Sequence, residues 1–372
     1  MHTWKYTQPV EIIFKADVLN DLDDILSQRG FSQGILICSN FFVKNGMAKE
    51  VMNSCASLRA VHSGIQPNPT LENVQSCAAA MVAAKAEFAL AIGGGSVLDC
   101  AKIACAIAKS GQQIAKIYAG EEKLSGDTLP MIAVPTTAGT GSEVTAVSVL
   151  NDDTGKLKAS VVDPCLFPKL AIIDPVLTMS MPPAVTAATG LDALAHALEG
   201  FWSKNHQPIC DALALEAARK VFSALPVAYK SGNDIKARTE MCEASLIAGL
   251  AFALPRTAGS HACSYILTTD YGMSHGEACA FTLAAFTRIN ADAEKGRLHD
   301  FAKKLGFEDA LAMADRIDEM KKEMGLKYTL GQAGIRNEDL AKVAHANQHP
   351  NLLNNPVEMS VEKLVAMYNE IG

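Results

Sequence analysis

The sequence predicts an α/β N-terminal domain built on a parallel sheet, followed by an all-α C-terminal domain. Three observations predict it. Short apolar runs without alternation, such as Gly34-Ile-Leu-Ile-Cys-Ser39 and Glu87-Phe-Ala-Leu-Ala-Ile92, alternate with helical segments, as in buried parallel strands joined by helices. From Ala184 onward nearly every segment has helical period. Met181-Pro-Pro183 marks the change, which sets the domains at 1–181 and 182–372.

Taken in order, residues 4–15 alternate loosely and suggest strands broken by Pro9. Ala16 to Gly30 reads as an amphipathic helix, Asn40 to Ala56 as another, and Leu58 to His62 as a strand. Thr70 starts a helix that runs to Ala84. Gly93-Gly-Gly-Ser96 follows the strand ending at Ile92, and Val97 opens a helix. Strand, glycines and helix form a phosphate-binding arrangement: the backbone can approach a pyrophosphate, and the helix N-terminus attracts the anion. A plain β–α turn has the same composition. Met131 to Pro135 is a fourth strand, and Thr136-Thr-Ala-Gly-Thr-Gly-Ser-Glu143 after it offers many hydroxyl donors. Ligands of such sheets bind at the carboxyl ends of the strands, where both loops lie. The helical half is expected at 184–202, 207–224, 235–254, 257–269, 276–290, 292–305, 308–325, 336–346 and 360–370.

Within that half, Asp192 and His196 are four apart in a helix-forming run and share one face. His261 and His275 follow at helix-end or loop positions, flanked by small apolar residues. One carboxylate and three imidazoles suit a borderline divalent ion, Fe²⁺ or Zn²⁺. Asp-x-x-x-His alone also describes a solvated helix pair. The apolar setting favours an interior, where a buried Asp needs a partner such as a cation.

The 372 residues are 49% hydrophobic and 20% charged, with net charge −7 and no basic stripe, which argues against nucleic acid. No apolar run reaches the roughly 20 residues that span a bilayer, and the N-terminus shows no signal-peptide core. Ten cysteines sit singly with no C-x-x-C pair and read as reduced, buried small hydrophobes of a cytoplasmic protein.

The chain resembles the iron-containing (group III) alcohol dehydrogenase family, whose fold is that of dehydroquinate synthase, with a Rossmann-like parallel sheet. The motifs that carry the resemblance are Asn68-Pro-Thr70, Gly93-Gly-Gly-Ser-x-x-Asp99, Pro135-Thr-Thr-Ala-Gly-Thr-Gly-Ser-Glu143, Asp174-Pro175, Gly190-Leu-Asp-Ala-Leu-Ala-His-Ala-Leu-Glu199, His261-Ala and His275-Gly276. The resemblance implies a nicotinamide-linked alcohol dehydrogenase or aldehyde reductase, a dimer, with NAD or NADP in the N-terminal domain and the metal in the C-terminal one. The ligands would be Asp192, His196, His261 and His275. Asn68 belongs to the cofactor side; Gly94, Gly95, Ser96 and Asp99 would hold the pyrophosphate and nearby groups. Thr136, Thr137, Thr140, Thr145 and Lys158 would line the rest. A dehydroquinate-synthase-like lyase shares the fold, but the Asp192/His196 pair favours the dehydrogenase.

Three positions depart from the family pattern. Tyr265 stands where many members carry a second histidine thought to relay the proton; its hydroxyl could serve, or its ring could simply pack. Ser39 stands where many carry an aspartate, so NADPH should be accepted beside NADH. Arg256, five residues before His261, stands where smaller residues are usual, and its fork of donors suits an anionic substrate. The stretches from His261 to Tyr265 and from Ser274 to Ala280 are similar to the branch that reduces phosphonoacetaldehyde to 2-hydroxyethylphosphonate. The substrate expected is a short aldehyde with an anionic end; a plain aliphatic alcohol or aldehyde is the alternative.

Overall fold

A computed structural model describes residues 3–371. Residues Gln8–Thr137 and Ser142–Thr178 form one compact unit; residues 3–7, 138–141 and 179–371 belong to another.

The first unit holds a six-stranded sheet. Its strands are β1 (Glu11–Phe14), β2 (Gly34–Cys38), β3 (Leu58–His62), β4 (Phe88–Gly93), β5 (Met131–Pro135) and β8 (Leu170–Ile173), in the order β1-β8-β5-β4-β2-β3. Every pairing is parallel. The strand residues alternate between two buried faces. Ile35, Ile37, Ala89, Ala91 and Ala133 pack with the Leu71–Ala83 and Gly95–Ser110 helices. Leu36, Cys38, Leu90, Ile92 and Val134 pack on the other face with Val18, Leu22 and Val51. Burial on both faces explains why these strands read as continuous apolar runs. The chain leaves β2 for β3 on one side and reaches β4, then β5, on the other. Between β2 and β4 the winding therefore changes direction, the place where parallel sheets bind ligands.

Several expectations need correction. Only β1 forms within residues 4–15, and 16–30 holds a short 3₁₀ turn and the six-residue Leu22–Ser27 helix. Residues 40–56 form two helices, Asn40–Lys44 and Met47–Ser54, because Gly46 takes φ 89° between them. Strand β8 and an antiparallel hairpin of β6 (Val147–Asn151) and β7 (Lys158–Val162) were not expected. Thr70 caps its helix through a box with Asn73.

The second unit is helical, as expected. Pro183–Trp202 is its central helix, with Pro183 at the first turn where a missing N–H costs nothing. Helices Pro208–Lys230, Ile235–Phe252 and His275–Ile289 pack on it. Arg238, buried, ties the start of this helix by donating to Thr186 Oγ1 (2.8 Å) and the Met181 carbonyl (3.1 Å). Among the described residues no helix is long and apolar enough to cross a membrane.

Candidate metal centre and cofactor cradle

The helical unit brings all four expected ligands into one neighbourhood. Asp192 and His196 face inward from the Pro183–Trp202 helix and are 2% and 5% exposed. His261 is the third residue of the Gly259–Thr269 helix, and His275 the first of His275–Ile289. Gly276 makes the close approach possible: a Cβ there would lie 2.3 Å from the Ala188 carbonyl oxygen and 3.1 Å from Asp192 Cβ.

The imidazoles are oriented by partners that the sequence reading did not assign. His196 Nδ1 donates to the Gly139 carbonyl (3.1 Å), and its ring stacks on Phe252 at 4.1 Å. His261 Nδ1 is bound by the fully buried Glu199 carboxylate, which also accepts from the backbone N–H groups of Ser260 (2.5 Å) and His261 (3.3 Å). Such outer partners fix the tautomer and aim of a metal-ligating histidine. Both Nε2 atoms then point at one place, 3.0 Å apart. Two lone pairs at that distance need a cation between them. Burial works against charge on His261, but Cys279 and Glu199 hold it well above the ordinary histidine range, so the site favours positive charge. A divalent ion would supply that charge.

Asp192 Oδ1 is buried with no hydrogen-bond partner and lies 3.6 Å from His261 Nε2. Burial alone would raise its carboxyl; His196, His261 and His275 hold it far below the carboxylate range, so it stays ionised. Burial pushes His196 down to about 4 against the pull of Asp192, leaving it neutral and able to ligate. An orphaned buried carboxylate oxygen beside converging imidazole nitrogens fits a metal. One donor was not expected. The atoms offered by Asp192, His261, His275 and Cys279 all lie within 4.8 Å of one another, with His196 adjoining through His261. Cys279 is free and buried, as expected, and lies among these donors. Its signal was the i, i+4 spacing from His275, the same spacing that marked Asp192 and His196.

Gly276→Ala is expected to destabilise the chain by about 1–3 kcal/mol, because the new methyl overlaps backbone that cannot give way. Thermal unfolding checks this; an unchanged midpoint would contradict the packing.

Near His261, Arg256 takes φ 72°, a left-handed conformation uncommon for a residue with a Cβ. Asn354 Nδ2 holds the turn by donating to the carbonyls of Pro255 (2.8 Å) and Thr257 (3.0 Å). The half-buried Arg256 has Tyr265 as its electrostatic neighbour, and no hydrogen bond or ion pair joins its guanidinium to another described residue. Tyr265, one turn beyond His261, stacks on His349 at 4.2 Å.

In the sheet unit, Gly93 to Gly95 carry β4 into the Gly95–Ser110 helix, whose N-terminus has no side-chain cap. A Cβ on Gly93 would meet Val97 at 2.6 Å, and one on Gly94 would meet Thr137 at 3.3 Å. The turn therefore stays bare and leaves its N–H groups for an anion. Cys38 pairs with Ile92, so Ser39 and Gly93 leave the sheet side by side. Ser39 makes no capping bond to the helix it precedes. Asn68 accepts from Lys158 Nζ (3.2 Å), and its backbone N–H donates to Ser96 Oγ (3.3 Å), which joins three expected residues. Asp99 is turned inward, accepting from Ser142 Oγ (2.6 Å) and the Val149 N–H (2.8 Å). Lys102, which the sequence reading passed over, is buried and donates to Ser142 Oγ (2.8 Å), Thr145 Oγ1 (3.3 Å) and the Val147 carbonyl (2.8 Å). Burial pushes it down to about 8, against Asp99 and Glu143. Asp99, Lys102 and Thr145 thus order the loop from beneath. Thr136 and Thr137 follow β5 half-exposed, while Thr140 belongs to the 138–141 segment of the helical unit, next to Gly139.

The sheet unit thus presents an uncapped glycine turn at a helix N-terminus, and the helical unit a buried carboxylate–imidazole cluster. Residues 9–175 match the family described as iron-containing alcohol dehydrogenase, and residues 186–372 its C-terminal part. Alcohol dehydrogenase 4 of Saccharomyces cerevisiae is 31% identical over 370 residues, 97% of this chain and 96% of the relative. Lactaldehyde reductase of Escherichia coli is 30% identical over 370 residues, with 96% of each chain covered. The crystal structure of sulfoacetaldehyde reductase from Bifidobacterium kashiwanohense in complex with NAD⁺ is 44% identical and matches with TM-score 0.96, over 100% of this chain and 99% of that one. The chain belongs to the iron-containing alcohol dehydrogenase family. It is an oxidoreductase of the alcohol dehydrogenase and aldehyde reductase type, with the dehydroquinate synthase-like fold.

Proposed function

We propose that this enzyme reduces a short aldehyde bearing a tetrahedral oxyanion, with sulfoacetaldehyde the first candidate. The observation that carries the reading is Arg256, a half-buried guanidinium held in a strained turn five residues before His261, beside Tyr265, with no carboxylate partner of its own among the described residues. A cation placed so has its donors ready for a ligand anion. Support also comes from the 44% identical relative named for sulfoacetaldehyde. Phosphonoacetaldehyde, the branch that the sequence resembles, offers the same geometry. Its end group, like a phosphate monoester, carries about −1.5 to −2. One guanidinium matches the single charge of a sulfonate more closely.

In this reading Asp192, His196, His261 and His275 hold a divalent ion, and Glu199 and the Gly139 carbonyl keep the two imidazoles aimed. The ion would supply Lewis acidity at the carbonyl and the nicotinamide would supply hydride. Arg256 binds the anionic end, which sets the reacting carbon at one distance from the metal ligands. Tyr265 offers a hydroxyl on the turn after His261 as a proton donor to the alkoxide oxygen. The bare turn at Gly93–Gly95 takes the pyrophosphate, with Ser96, Asn68, Lys158, Thr136 and Thr137 beside it.

The test is oxidation of NADH and NADPH with short aldehydes, in metal-loaded and chelated protein. Turnover only in the loaded form, fastest with the anionic aldehydes, is expected. Turnover that survives complete chelation contradicts the reading.

Both dinucleotides are expected to serve. The NAD⁺ complex of the relative supports NAD, and Ser39, uncharged at the end of β2, does not repel a 2′-phosphate. Ser39→Asp should lower kcat/KM with NADPH about tenfold or more, ~1.4 kcal/mol, and spare NADH. A cofactor ratio unmoved by the substitution would place the ribose elsewhere.

A further inference from the structure

We propose that Cys279 is a metal ligand in this centre, so that the ion is held with a sulfur contact beside its nitrogen and oxygen donors. The inference rests on the metal reading above and adds a donor to it. Cys279 is fully buried on the His275–Ile289 helix, one turn after His275, on the same face. Its Sγ lies 3.9 Å from both ring nitrogens of His275. It lies within 4.8 Å of the donor atoms of Asp192 and His261 as well.

The second observation is Asp192 Oδ1, buried in the same group and without a hydrogen-bond partner. A structural thiol needs no carboxylate and two imidazoles around it, and a small hydrophobe would be cheaper beside an ionised Asp. A cation removes the conflict: on binding, the thiol gives its proton to solvent and the sulfur lone pair goes to the metal. Atoms and charge balance without an oxidant. The chemical consequence is selectivity. Imidazole and carboxylate alone already suit borderline ions such as Fe²⁺ and Zn²⁺; a thiolate strengthens the preference for the softer of these, Zn²⁺ and Co²⁺, over hard ions such as Mg²⁺ and Mn²⁺.

The experiment loads the full-length apoprotein with Co²⁺ and, separately, Zn²⁺. The Co²⁺ form should show a near-ultraviolet sulfur-to-cobalt charge-transfer band. Cys279→Ser and Cys279→Ala should lose that band, keep the visible ligand-field bands, and bind Zn²⁺ about tenfold or more weakly, the scale on which even outer partners of ligands act. X-ray absorption of the Zn²⁺ form of the wild type should show one sulfur neighbour at about 2.3 Å, a result that needs no variant to fold. Metal bound with no sulfur neighbour, or a charge-transfer band that survives both substitutions, overturns the role of Cys279 and leaves the metal reading standing. Failure to bind either ion overturns both.

Discussion

His261→Ala is expected to lose the metal and the turnover together while the chain stays folded. His261 is the hub of the centre: its Nε2 lies 3.0 Å from His196 Nε2 and 3.6 Å from Asp192 Oδ1. Removing the ring separates those donors by an empty space that no neighbour fills with charge. Folding should survive because Glu199 keeps the backbone N–H groups of residues 260 and 261 as partners. The buried carboxylate is therefore not orphaned, which would otherwise cost about 1–3 kcal/mol or more. Metal analysis after gel filtration checks the first half, and circular dichroism the second. Wild-type metal content in the variant would show that the ion sits elsewhere.

Arg256→Ala is expected to act on one class of substrate only. Charge-assisted hydrogen bonds contribute about 1.5–3 kcal/mol each, and a guanidinium offers two to an oxyanion. Losing that contact should lower kcat/KM for sulfoacetaldehyde by roughly 30- to 1000-fold, about 2–4 kcal/mol. Propanal, which has no anionic end, should change little. The arginine backbone matters separately: at φ 72° a glycine is the least strained replacement. Arg256→Gly should therefore show the same substrate split with less loss of stability than Arg256→Ala. Equal losses for both aldehydes would mean that the residue supports the turn rather than the substrate.

Much of this was legible in the residues because the physics was local. The buried runs of β2, β4 and β5 announce a parallel sheet, since both of their faces are covered. The i, i+4 spacing of Asp192 and His196 announces a shared helix face. Long-range contacts were not legible. Strand β8 is four residues, Leu170–Ile173, too short to show a period between Pro168 and Asp174. The β6–β7 hairpin is only partly buried and mixes apolar with polar residues, unlike the buried strands around it. Glu199 is three residues beyond His196, yet its partner His261 is 62 residues away. The left-handed turn at Arg256 depends on the clamp by Asn354, 98 residues later. Cys279 was visible by spacing, but with ten cysteines in an apolar chain it looked like the rest of the interior.

The most direct measurement is the ratio of kcat/KM for sulfoacetaldehyde to that for propanal, with the same metal-loaded enzyme and saturating NADH. A shared metal centre and an anion anchored by Arg256 predict a ratio of about 100 or more, worth roughly 3 kcal/mol, falling toward unity in Arg256→Ala. A wild-type ratio near one, with both aldehydes turned over, would contradict the account.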